Sequence, residues 1–202
     1  MDAKPKRTGT KGVPRAEREE RILDAAVLEF GERGYAATSV ESVANRATVS
    51  RSLVHAYFDT KDTLYCACVT RVGDGLVARV AEALDRRDES ATRFAVDVLR
   101  SVFVALEPRP QDWRVLYDAT VPPGSVAAEE ARRYRLLLTQ QGAAGIAESF
   151  ADKLPDPRDL SALTHIWTNV VSTMVNWWIR NPDQTAQQMA ERSARILEAL
   201  EG

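Results

Sequence analysis

Twenty residues near the start of the chain, TSVESVANRATVSRSLVHAY from Thr38 to Tyr57, constrain its fold more than any other stretch. They hold two helix-start signals about a dozen residues apart. Thr38-Ser39-Val40-Glu41 reads as a capping box, in which the Thr38 side chain caps a helix and Glu41 reaches back to the cap. Val40, Val43, Ala44 and Ala47 then recur at helical spacing, so one face is apolar, and small Ala44 sits where a crossing helix comes close. Ser50 is a second N-cap, and Val49 before it is placed to staple onto Val54. Val54 and Tyr57 continue the inward face and leave Arg51, Ser52, Leu53, His55 and Ala56 outside or on its borders. Two helices this short cannot bury themselves alone. Joined by a tight turn, such a pair is a helix–turn–helix, whose second helix is the one offered to a DNA major groove.

The flanks supply the missing cover. Pro14 suits the first turn of a helix running to about Arg33, with Ile22, Leu23, Ala26, Val27 and Phe30 as its buried stripe. Gly34 is a natural left-handed stop, and Tyr35 folds back onto the last turn. Beyond Phe58, Thr60 caps another helix, with Asp62 near its positive end. Leu64, Cys68, Val72, Leu76, Val80 and Leu84 keep one face of that helix apolar, making a rod over about 61–86 that can connect two domains.

Helical periodicity continues over 89–106, 111–119, 127–153, 159–180 and 183–200, punctuated by prolines. The alternating pattern of strands is hard to find, so the chain reads as all-α. Three parts follow: a flexible basic arm over 1–13, a helix–turn–helix domain over 14–62, and a larger helical domain over 63–202.

Composition narrows the function. The 202 residues are 45% hydrophobic and 28% charged, ordinary for a globular protein. Net charge is −2, yet residues 1–15 carry five cations against Asp2, a local +4 that leaves −6 elsewhere. Both a phosphate-touching arm and an unstructured terminus with incidental charge fit that start. No window reaches the roughly 18 apolar residues of a membrane span, and no signal-like apolar core opens the chain, so a cytoplasmic protein with no membrane partner is expected. Cys66 and Cys68, two apart on a helix, suit neither a disulfide nor a metal clip and read as packing. His55 and His165 are the only histidines, and no nucleophile elbow, phosphate loop or metal cluster accompanies them. Carboxylate pairs such as Glu19/Glu20 and Glu129/Glu130 read as solvated helix faces. Neither catalysis nor a cofactor is expected.

The run from Ile22 to Val69, with its Phe30-Gly31-Glu32-Arg33-Gly34-Tyr35, Ala37-Thr38-Ser39-Val40, Val49-Ser50, Tyr57-Phe58 and Lys61-Asp62, closely resembles the N-terminal domain of the TetR family of transcriptional regulators. The resemblance covers roughly residues 15–70. It implies that Thr38 and Ser50 hold phosphates from helix starts, that Tyr57 reaches the DNA backbone and that Lys61 pairs with a phosphate. The helix from Arg51 to Tyr57 would read base edges, giving a contact set of Thr38, Ser39, Ser50, Arg51, Ser52, Leu53, His55, Tyr57 and Lys61. Arg51 is the residue equipped for a bidentate guanine contact, and a phosphate contact suits it equally. Thr48 stands where the family usually has glycine, which predicts a turn that is slightly strained or differently angled.

The second half resembles the family less, and periodicity carries the reading. HIWTNVVSTMVNWWIR is apolar on more than one side and must be covered twice. The resemblance implies a homodimer through the last two helices, with Trp177, Trp178, Met189 and Ile196 as interface candidates and Trp177 and Trp178 alternatively core. It also implies a small-molecule effector among the middle helices, with Phe103, Trp113, Tyr117, Tyr134, Trp167, Asn169 and Met174 as candidate lining. Aromatics at helical spacing are equally read as core, and His165 as a hydrogen-bonded helix residue. Two functions remain. One is a repressor released from a pseudo-palindromic operator by its ligand; the other is an architectural DNA binder or adaptor whose second domain only dimerises. A cavity among the aromatics favours the first.

Overall fold

A computed structural model describes residues 14–86 and 90–201. Every regular element among them is an α-helix: α1 (Arg15–Ala37), α2 (Val40–Arg46), α3 (Arg51–Phe58), α4 (Lys61–Leu84), α5 (Ala91–Leu106), α6 (Asp112–Tyr117), α7 (Val126–Phe150), α8 (Pro157–Ile179) and α9 (Ala186–Glu201). The expected basic arm and Arg87 to Glu89 lie outside the described residues. No helix among the described residues is long and apolar enough to cross a membrane.

Side-chain caps set most of the helix starts. Ser39, Ser50, Thr60, Ser90 and Ser125 each accept from the backbone N–H three residues on. Each satisfies a donor that a helix start leaves without a partner. One cap differs from expectation. Ser39, not Thr38, opens α2, and its box partner is Ser42, not Glu41. Thr38 is buried, and its hydroxyl lies within hydrogen-bond reach of the Glu29 and Gly34 carbonyls. It stitches the end of α1 to its own last turn.

Gly34 breaks α1 as expected, at φ 78° and ψ 168°, a region open essentially to glycine. The helix–turn–helix turn holds Thr48 at φ 57°, so the side chain there sits in the left-handed region at a cost of about 1 kcal/mol. Arg46 fastens α2 to α1, reaching Glu29 at 2.8 Å and Glu32 at 2.6 Å. Val43, Ala44, Val49, Val54 and Phe58 close the small core beneath.

The long helix α4 belongs to both halves. Near its start Leu64, Tyr65, Cys68 and Val69 are buried, and Tyr65 packs edge-on to Phe30 and Tyr35 at 4.8 Å and 5.2 Å. Its hydroxyl donates to the Val115 carbonyl at 2.6 Å, which brings α6 against α1 and α4. Further along, α4 packs on α5 and α7; α8 covers α7, and α9 covers α5. A Cβ on Gly73 would come within 2.2 Å of the Tyr134 ring, so that glycine sets the closeness of α4 and α7.

Candidate nucleic-acid interface and ligand chamber

The outward face of α3 carries Arg51, Ser52, His55 and Ala56, all exposed, with Leu53 and Tyr57 half-buried at its edges. The face is ordered by its own hydrogen bonds. His55 Nδ1 lies 2.6 Å from the Asp59 carbonyl, which makes it the protonated nitrogen, and Nε2 accepts from Arg51 Nε at 3.3 Å. Arg51, exposed, is thereby tied along the helix to His55. Ser50 caps α3 and its hydroxyl lies 3.0 Å from that of Ser52. Tyr57 donates to the Arg15 carbonyl at 3.3 Å, with the Arg15 guanidinium 5.2 Å from its ring.

At the start of α4 the Lys61 ammonium sits 4.1 Å from the centre of the Tyr35 ring, and burial lowers its pKa. The Tyr35 hydroxyl donates to Asp62; burial first, and that bond second, push it up to about 12. Ser39, Ser50, Arg51, Ser52 and His55 are thus exposed, and Leu53, Tyr57 and Lys61 partly so. Thr38 is the correction: its buried hydroxyl is committed to backbone carbonyls, and the exposed oxygen at the α2 start belongs to Ser39.

A clamp from the second half grips this region. Asp118, directly after α6, accepts from the Tyr35 backbone N–H, and Thr120 Oγ1 accepts from that of Ala36 at 3.0 Å. Asp118 also accepts from the Thr120 N–H and hydroxyl, each at 2.7 Å. Sequence reasoning missed this pair. Asp-Ala-Thr after a helix carries a turn signal, but nothing local says which helix the turn will hold.

A chamber of about 310 Å³ opens among α4, α5, α7, α8 and α9, walled by Val80, Leu84, Phe94, Val98, Ile146 and Trp167. A narrower extension of about 50 Å³ shares Val80, Val98, Gly142 and Trp167 with it and ends on Trp113, Tyr117 and Thr139. Three of the seven predicted lining residues, Trp113, Tyr117 and Trp167, therefore face these cavities; four do not. Phe103 is core, edge-on to Trp178 at 5.5 Å. Tyr134 is buried over Gly73 and donates to Asp74. Asn169 is exposed and donates to the His165 carbonyl at 2.8 Å, and Met174 packs on the core outside both cavities. Periodicity marks which residues point inward but not where neighbouring helices stand apart.

The interface candidates divide similarly. Trp178 is 2% exposed, donates through Nε1 to the Gln184 carbonyl at 2.8 Å, and belongs to the protomer core. Met189 is 0% exposed and is core as well. Trp177 is half-buried under the Arg192 guanidinium at 5.0 Å, and Ile196 is exposed. Leu200 of α9, expected beside Ile196, is exposed too, and Ile166 on α8 adds apolar surface that the sequence reading did not single out. Burial pushes both thiols up, and Cys68 is fully buried, in keeping with packing roles.

A capped helix–turn–helix leads into a long connecting helix and then into further helices that surround an apolar chamber, an order in which the first part is suited to DNA binding. Residues 22–68 match the family described as bacterial regulatory proteins, tetR family, so this part of the chain carries that family's N-terminal domain. It is 33% identical over 106 residues to the transcriptional activator FasR of Mycolicibacterium smegmatis, covering 52% of this chain and 48% of FasR. It is 36% identical over 85 residues to a transcriptional repressor of Mycobacterium tuberculosis, covering 38% of this chain and 45% of the repressor. The chain thus spans about half the length of these curated relatives. A TetR-like regulator from Rhodococcus sp. RHA1 has the same fold, with a TM-score of 0.73 at 24% identity over 94% of this chain and 99% of that one. These relatives are regulators, not enzymes.

Proposed function

We propose that this chain is a dimeric DNA-binding transcriptional regulator, a repressor released from a pseudo-palindromic operator when a small molecule enters the chamber. The observation that carries the DNA role is the exposed α3 face, where His55 ties Arg51 along the helix beside the Ser50 cap. In this reading residues 14–62 form the reading domain, and 63–202 the effector and dimerisation domain. Arg51, Ser52, Leu53 and His55 meet base edges, while Ser39, Ser50, Tyr57 and Lys61 meet phosphates. A two-fold axis along the open faces of α8 and α9, through Trp177, Ile166 and Ile196, supplies the second reading helix. Acting on chromosomal DNA places the protein in the cytoplasm.

Control runs through α6. Trp113 and Tyr117 stack at 4.4 Å and line the extension of the chamber, and the next residue, Asp118, holds the end of α1. A ligand that displaces α6 shifts the clamp and with it the angle of the reading helices. Couplings of about 1–3 kcal/mol are typical of such regulation. A purely architectural DNA binder has no use for the chamber, which favours the effector reading.

Replacing Lys61 with alanine tests the DNA role. Affinity for every duplex is expected to fall, and the slope of log K against log salt to shrink by about one. Unchanged affinity and slope remove Lys61 from the contact set.

A further inference from the structure

A lysine carries its ammonium on a flexible four-carbon stem, so one that must meet a phosphate at a set place gains from being held beforehand. Lys61 is held. Its ammonium sits 4.1 Å from the centre of the Tyr35 ring, over the electron-rich face that attracts a cation. The ring has little freedom of its own. Tyr35 is 8% exposed, Phe30 lies nearly parallel to it at 6.1 Å, and Tyr65 meets it edge-on at 5.2 Å. Its hydroxyl donates to the carboxylate of Asp62, the residue after Lys61, and its backbone N–H donates to Asp118 in the clamp. The platform under Lys61 is thus fixed by α1, α4 and the turn after α6 together. Lys61 is partly buried, and the burial that lowers its pKa already strips part of the water that a phosphate would otherwise displace.

We propose that Tyr35 is the positioning residue for Lys61, its ring holding the ammonium at the start of α4 where a DNA phosphate meets it. Tyr35 is too buried to touch DNA and acts through the lysine. Asp62 ties the ring to the first turn of α4, so ring and lysine move together. This assignment rests on the reading of Lys61 as a phosphate contact and adds the residue that prepares it for that role.

The test joins two measurements on the full chain: the proton chemical shift of the Lys61 ε-methylene without DNA, and affinity for a duplex of random sequence. Protons over an aromatic ring resonate upfield, so the Lys61 ε-methylene of the native protein should lie clearly upfield of its position in a free lysine. Tyr35→Phe keeps the ring and should keep both the shift and the affinity. Tyr35→Leu should return the shift to the free-lysine position and weaken duplex binding about threefold. In a Lys61→Ala background the same change should cost nothing further, because residues acting through one contact are not additive. A native shift at the free-lysine position overturns the proposal without any variant, even if Tyr35→Leu fails to fold. So does a loss that persists in the Lys61→Ala background, which would mark Tyr35 as a structural residue alone. Lys61→Ala that binds as tightly as the native protein overturns the phosphate reading of Lys61 together with the proposal, whereas the other two results leave that reading standing.

Discussion

At the scale of single residues, Gly34 and Asp112 bear the most stress. Gly34 adopts φ 78° and ψ 168°, and a Cβ there would lie 3.2 Å from the Asp118 carboxylate and 3.3 Å from Thr120 Oγ1. Gly34→Ala is therefore expected to destabilise the fold by about 1–3 kcal/mol, read as a lower melting temperature. An unchanged melting temperature would show that the turn has another conformation open to it. Asp112 is buried between α1 and α4, 3.2 Å from Arg109, which also reaches Asp24 at 3.1 Å. Burial outweighs the arginines and raises its carboxyl pKa to about 6. The folded state then holds this proton more tightly than the unfolded chain, whose value is about 3.9. Its contribution to stability is full below about pH 4 and declines as pH rises through about 6. Compared with Asp112→Asn, the native protein should gain about 2 kcal/mol of relative stability between pH 7 and pH 4. A pH-independent difference in denaturant unfolding would contradict that.

At the scale of helices, the clamp after α6 is the contact through which the proposed control would run. Asp118→Ala removes the acceptor of the Tyr35 N–H and the partner of Thr120, a loss of about 1–3 kcal/mol locally. Amide exchange at Tyr35 and Ala36 should accelerate, with slower amides in the α7 interior unchanged. Exchange rates that rise equally everywhere would mean global destabilisation instead. The helices themselves were legible from local signals: Gly34, Ser50, Thr60 and the proline breaks mark ends that the structure reproduces within a few residues. The α2 cap was misplaced by one position because Thr38 and Ser39 are chemically alike, and only the third dimension shows Thr38 turned inward. The α3 face could be read because a short amphipathic helix has one outside. The chamber could not, since its walls come from five helices and no local signal says where those helices stand apart. Phe103 and Tyr134 look the same in sequence as Trp167, and close neighbours decide that they are core.

At the scale of the molecule, α4 spans both halves, with Lys61 in its first turn beside the helix–turn–helix and Leu84 in the chamber wall. Apolar Ile166, Ile196 and Leu200, exposed in the protomer, mark the side where a second copy is expected. Ile166→Lys combined with Ile196→Lys should turn a dimer into a monomer in sedimentation experiments and weaken duplex binding, while leaving the helical signal intact. A dimer that survives both changes would move the two-fold axis elsewhere. Arg51→Ala should alter which sequences bind more than how strongly DNA in general binds, in contrast to Lys61→Ala. The most direct test of the regulator reading is selection of bound duplexes from a random pool by the intact protein. Enrichment of a two-fold-symmetric sequence, its half-sites one helical turn or a multiple apart and its preference changed by Arg51→Ala, is the predicted result. A pool that stays random, or an enriched motif indifferent to Arg51, Ser52 and His55 substitutions, would contradict the assignment of α3 as the reading helix.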